Sequence, residues 1–139
     1  MSGFRLSVPI LPRFRDTDAM GHVNNAVLLS YLEVGREAYW REVMGIPDYR
    51  NCGLILARVE IDFRRPAAPA ETLEVSLRVC RIGTSSFDLA YEVRERSSGT
   101  LVAEARSVQV MYDYARGEKR PLTADERDRM KRFEGEIVP

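Results

Sequence analysis

The sequence predicts an α+β fold in which one long antiparallel β-sheet wraps around one central α-helix. Two observations carry that expectation. A single long stretch of helical apolar spacing is followed by four runs in which apolar and polar residues alternate with period two. Alternation over runs this long belongs to an antiparallel sheet with one packed face and one wet face. A third observation, a capping-box pattern near the C-terminus, adds a short final helix. With 139 residues, the chain is expected to form one domain over residues 1–139, large enough for a real core.

Leu6 to Arg15 reads as an extended first strand, with Pro9 and Pro12 marking an edge or a bulge. The turn Asp16 to Asn24 leads into a helix from about Asn25 to Met44. Val27, Leu28, Tyr31, Leu32, Ala38, Tyr39 and Val43 supply its apolar stripe. Leu29 and Trp40 widen that stripe, so the helix is expected to be embraced on more than one side. Gly45, Ile46 and Pro47 stop it. Strand runs then centre on Val59 to Phe63, Leu73 to Val79 and Phe87 to Val93, broken by prolines or Gly/Ser turns. The last run, Thr100 to about Tyr112, changes apolar phase between Ala105 and Val108, which points to a bulge or to burial on both faces. Thr123-Ala124-Asp125-Glu126 opens the final helix, expected to reach about Phe133.

Composition excludes several function classes. Lys plus Arg and Asp plus Glu both number 21, so no global basic field suits nucleic acid. No apolar segment is long enough to span a bilayer, and the N-terminus has no signal-peptide pattern, so no membrane partner and a cytoplasmic location are expected. Cys52 and Cys80 form no CxxC motif or disulfide framework, which suits a reducing compartment. With one histidine and no cysteine pairing, no metal site is expected. Neither a P-loop nor a dinucleotide fingerprint occurs, so no cofactor is expected.

The chemistry concentrates in Phe14-Arg15-Asp16-Thr17-Asp18-Ala19-Met20-Gly21-His22-Val23-Asn24-Asn25-Ala26. Two carboxylates, the sole histidine and two asparagines sit in a turn directly before the long helix. A helix N-terminus offers unpaired N–H groups and the positive end of a dipole. A carboxylate and an imidazole beside it make a site for attacking a carbonyl and holding the oxyanion. Each residue also has a plainer reading: Asp18 as a turn cap, His22 as a structural hydrogen-bonder, Asn24 and Asn25 as N-caps. Asp16 lies two residues before Asp18, so in extended backbone both carboxylates face one side and one pKa rises. A structural role in the turn is favoured for Asp16.

The turn motif, with Tyr31-Leu32-Glu33 and Arg36 on the helix and the order of elements, resembles the hotdog-fold acyl thioesterases. The nearest branch is that of the 4-hydroxybenzoyl-CoA-thioesterase-like acyl-CoA thioesterases. His22-Val23-Asn24-Asn25 is also similar to plant acyl-acyl-carrier-protein thioesterases. The resemblance implies hydrolysis of an acyl-CoA thioester to free acid and CoA. It implies Asp18 as nucleophile or general base, and the Asn25 N–H as the group that polarises the carbonyl. It also implies sheets paired between subunits, as dimers or homotetramers, with sites at the dimer interface.

His22 is read as supporting orientation or proton movement. Candidate substrate-binding residues are Asn24, Tyr31, Glu33, Arg64, Arg65, Ser85 and Ser86, the arginines for phosphates and the serines as turn donors. Glu33 and Arg36, three apart, could instead pair with each other. Tyr31 is read as core or acyl-pocket wall. Two alternatives stand beside hydrolysis. A hotdog-fold enoyl-thioester hydratase or dehydratase would use an Asp-x-Asn-Pro-x-His arrangement, which is absent here. A non-catalytic acyl-thioester-binding protein would have no need of Asp18. A serine hydrolase is excluded, because no Gly-x-Ser-x-Gly elbow occurs.

Overall fold

A computed structural model describes residues 3–139. Strand β1 (Leu6–Ile10) precedes helix α1 (Asn25–Glu42). Strands β2 (Leu54–Phe63), β3 (Leu73–Ile82), β4 (Ser86–Glu95) and β5 (Leu101–Asp113) follow, then a two-residue β6 (Glu118–Lys119) and helix α2 (Ala124–Glu134). The main sheet runs β1-β3-β4-β5-β2, with every neighbouring pair antiparallel, and β6 pairs with the end of β5. Strand β2 therefore forms one edge and β1 the other. No described helix is long and apolar enough to cross a membrane.

Helix α1 begins where Asn24 turns its side chain back to accept the Ala26 N–H at 2.8 Å. It ends at Glu42, two residues before the expected Met44, because Val43 caps it and Gly45 takes a left-handed φ of 72°. Leu28, Leu32 and Ala38 are buried under it. Gly35 is needed where the helix meets β3: a methyl group there would lie 3.0 Å from Val75 Cγ1. Trp40 stacks on Phe87 with ring centres 5.5 Å apart, and Tyr39 meets Phe133 edge-on. Leu29, expected to widen the buried stripe, is partly exposed. The helix is covered on the sheet side and leaves that flank open.

The first strand is shorter than expected. It stops at Ile10, and Phe14–Asp16 forms a 3-10 turn, so the backbone is not extended through Asp16. Bulges lie at Ala57 in β2, Cys80 in β3 and Val102 in β5. None lies between Ala105 and Val108. The phase change reflects the other expected possibility, burial on both faces: Ser107 and Gln109 occupy fully buried inward positions, while Val108 and Val110 face out and are half-buried. Polar residues hold the inner row.

The outer face of the sheet is charged. Asp88 lies between Arg81 (2.7 Å) and Arg106 (3.0 Å). Burial pushes its carboxyl up, but the two guanidinium groups win and hold it below the usual range. Helix α2 opens with the expected Thr123–Glu126 capping box and closes at Glu134. The buried Glu134 carboxylate accepts the Tyr39 hydroxyl and the Val79 N–H, each at 2.8 Å. One carboxylate thus joins α2, α1 and the bulged part of β3.

Candidate active site

The loop before α1 is built from short-range polar contacts. Asp16, only 4% exposed, accepts the Tyr31 hydroxyl at 2.6 Å, the Arg13 N–H at 3.0 Å and the Arg13 guanidinium at 3.1 Å. The Tyr31 bond first, then those from Arg13, hold the Asp16 carboxyl at about 2. Burial and the Asp16 charge push the Tyr31 phenol up. The Asn24 N–H donates to the Asp16 carbonyl at 2.8 Å. Asp16 therefore ties the loop to α1. Its carboxylate turns inward, and its pKa falls rather than rises, because the 3-10 turn breaks the extended geometry that would have set it beside Asp18.

Asp18 heads a tight turn. Its N–H donates to the His22 carbonyl at 2.7 Å, and its own carbonyl accepts the Gly21 N–H at 3.1 Å. Gly21 adopts φ 80°, the left-handed region that favours glycine. Asp18 Oδ1 accepts the N–H groups of Met20 (2.9 Å) and His22 (3.2 Å). Its other oxygen has no hydrogen-bond partner among the described residues. The turn therefore fixes the carboxylate through one oxygen and leaves the second unengaged among the described residues.

At the start of α1, Asn24 takes the N–H groups of Ala26 on its side chain and of Val27 and Leu28 on its carbonyl. The Asn25 N–H is left without an acceptor among the described residues, as expected for a first helical position. Val23 N–H donates to the Ala67 carbonyl at 2.8 Å, which brings the segment after β2 against this loop. The result is a groove of about 320 Å³ where Asp18, His22 and Asn25 meet Phe63, Arg64 and Arg65.

The structure separates the remaining candidates from this groove. Asn24 is spent as the cap. Tyr31 is buried with its hydroxyl on Asp16. Glu33 is exposed on α1, eight residues beyond Asn25. It makes no ion pair with Arg36 among the described residues, because Arg36 turns into the core and donates to Tyr91 Oη. Ser85 and Ser86 lie at the far end of β4. Ser86 is seven residues from the Val93 rung, which registers with the groove end of β5, or about 23 Å along the strand. Arg81, beside that turn, is engaged by Asp88 and Ser86.

Sequence reasoning missed Phe63, which reads as one more strand residue but is 43% exposed on the groove wall. The signal was its place directly before Arg64-Arg65-Pro66, where the strand must end.

The family model of the thioesterase-like superfamily matches residues 12–130. The chain belongs to the thioesterase-like superfamily. Its enzyme class is that of a thioester hydrolase, and its architecture is the hotdog fold. A thioesterase from Thermus thermophilus, solved with coenzyme A and zinc, superposes with a TM-score of 0.89 at 34% identity, covering 99% of this chain and 100% of that one. The 1,4-dihydroxy-2-naphthoyl-CoA hydrolase of Synechococcus elongatus is 30% identical over 118 residues, 79% of this chain and 83% of that protein. The long-chain acyl-CoA thioesterase FadM of Escherichia coli is 24% identical over 121 residues, 84% and 89% of the two chains. YsmA of Bacillus subtilis is 29% identical over 79 residues, so that match spans only about half of its length (54%).

Proposed function

We propose that this superfamily member hydrolyses acyl-CoA thioesters to free carboxylic acid and CoA, with chemistry centred on Asp18. The observation that carries the reading is the meeting of a half-free carboxylate and an unpaired helix N–H in one groove. The thioester carbonyl oxygen sits at the Asn25 N–H, where the helix dipole favours developing negative charge. Asp18 then acts in one of two ways. It attacks the carbonyl carbon, expelling CoA thiolate and leaving a mixed anhydride that water opens. Alternatively, it takes a proton from the water that attacks. His22, on the same groove, serves the proton needed by the departing thiolate.

Arg64 is the better phosphate partner of the two groove arginines. Its side chain is half exposed and its contacts with Asp62 and Glu104 are long, at 3.7 and 3.4 Å. The Arg65 fork is already held by both oxygens of Glu71.

Self-association through β2 belongs to the same reading. Strand β2 is ten residues long, forms a free sheet edge, and leaves Ile55, Leu56 and Phe63 exposed. Such an edge invites a second strand, so a dimer, or a tetramer made of two such dimers, is proposed.

The test is thiol release across a panel of acyl-CoAs, with the wild type beside Asp18→Asn. Hydrolysis that depends on the acyl group and is lost in the variant supports the reading. Absence of hydrolysis with every ester, from a folded protein, rejects it.

A further inference from the structure

Beyond the groove, the inner face of the sheet carries a polar cluster that hydrolysis does not require. Arg36 of α1 is 6% exposed and donates through Nη1 to Tyr91 Oη at 3.1 Å. Tyr91 Oη shares a hydrogen bond of 2.5 Å with Ser107 Oγ, and Gln109 Nε2 donates to the same oxygen. The guanidinium also borders the Tyr49 hydroxyl. Among the described residues no carboxylate pairs with Arg36, and Gln109 Oε1 is buried with no partner at all. Arginine cannot shed its proton in a protein. A buried charge without a counter-charge and a buried acceptor without a donor both cost stability, and an apolar core would avoid both. Two complementary groups are thus linked through Tyr91 and Ser107: a cation without a counter-charge, and an acceptor without a donor.

Sheet register connects this cluster to the groove. Phe63 pairs with Ala103, Ile61 with Ala105 and Val59 with Ser107. Cross-strand partners share a face, and here it is the face on which Ser107 reaches Tyr91 and, through it, Arg36. The β5 side chains in this row are small. Those of β2 are half-buried or, at Phe63, exposed. This row of side chains leads from the groove, at Phe63, to the polar cluster, at Ser107. Its length is about 13 Å along the four strand residues from Ala103 to Ser107. From Asn25 to Arg36, eleven helical residues give about 16 Å. An extended chain of roughly ten to twelve carbons spans that distance, at about 1.3 Å of advance per bond.

We infer that the preferred acyl group is a chain of this length whose far end carries an oxygen, received by Arg36 and Gln109. A terminal hydroxyl accepts from the guanidinium and donates to Gln109 Oε1. A terminal carboxylate answers the guanidinium by charge. A terminal methyl leaves Gln109 Oε1 without a donor and the guanidinium without a counter-charge. This inference rests on the thioesterase reading of the groove, and it assigns the substrate class to that site.

The experiment compares kcat/KM for dodecanoyl-CoA, 12-hydroxydodecanoyl-CoA and the mono-CoA ester of dodecanedioic acid, using wild type, Arg36→Met and Gln109→Leu. The wild type should favour at least one oxygenated ester by about tenfold or more, since the plain chain leaves buried polar groups unfilled. Arg36→Met should abolish or reverse that preference while dodecanoyl-CoA is still cleaved. Gln109→Leu should lower the hydroxy ester alone. The two oxygenated arms separate an alcohol from a carboxylate as the natural terminus. Equal or poorer cleavage of both oxygenated esters, with dodecanoyl-CoA cleaved, overturns the inference and leaves the thioesterase reading standing. Cleavage of no ester overturns both. Should Arg36→Met fail to fold, the wild-type ratio and Gln109→Leu still decide.

Discussion

The two ends of α1 are built by different physics. At its N-terminus, polar groups close in sequence hold one another: Arg13 with Asp16, Asp18 with Met20 and His22, Asn24 with Ala26. At its C-terminal half, large side chains meet partners far along the chain: Trp40 on Phe87, Tyr39 on Phe133 and Glu134. One end is shallow, wet and open to a ligand; the other is dry and closed. A site held by local hydrogen bonds can be altered chemically without disturbing the packing that supports it. That separation makes activity and stability independently testable.

The sharpest test is Asp18→Asn. Asparagine keeps the Oδ1 that accepts from Met20 and His22, so Tm should move by no more than about 2 °C. Turnover should nevertheless fall by several orders of magnitude, roughly a thousandfold or more. A fall in Tm matching the loss of activity would show that the N-terminal end is part of the packing after all.

At the other end, Trp40→Ala should destabilise the fold by about 3–5 kcal/mol, measured by urea unfolding. A loss under about 1 kcal/mol would deny that the C-terminal half is the packed anchor. Gly35→Ala lies between the two ends. Its methyl must displace Val75 Cγ1 at 3.0 Å, and a cost of about 1–3 kcal/mol is expected by the same measurement.

Asp16→Asn probes how far the local network supports stability, and it does so through pH. Asp16 is held near 2 in the fold, below the ordinary 3.8. A depressed carboxylate contributes stability that is fully present above its unfolded pKa and lost as pH falls through the folded one. The wild type should therefore out-melt the variant at about pH 7, and the gap should close between about pH 4 and pH 2. A gap independent of pH would assign the Asp16 contribution to shape rather than charge. The smallest effect is expected from Thr123→Ala, which removes the α2 cap at a cost of about 1 kcal/mol and should leave turnover unchanged.

What the sequence made legible follows the same division. The local elements could be read directly, because caps, glycine turns and period-two alternation are written in neighbouring residues: Asn24, Gly21, Thr123, and the run from Leu73 to Val79. The groove was half legible. Asp18, His22 and Asn25 are near one another in the chain, but Phe63 reaches them only because the Val23–Ala67 hydrogen bond folds the end of β2 over the loop. Asp16 does not share a side with Asp18 as its spacing suggests, because a 3-10 turn looks like extended chain when prolines and charges surround it. The β5 phase break was visible, but it left a bulge and two-sided burial equally open, and the strand has the second. Buried Ser107 and Gln109 mimic a bulge in any pattern that equates inward with apolar.

Glu134 carries a consequence for how the chain comes into being. Its partners Tyr39 and Val79 lie 95 and 55 residues earlier. During synthesis, α1 and the bulge of β3 emerge long before the carboxylate that joins them. Until then a tyrosine hydroxyl and a backbone amide destined for the dry interior must stay hydrated. Contacts of such sequence separation are paid for late in folding. The nascent protein should therefore linger in an open, chaperone-accessible form until residue 134 has left the ribosome.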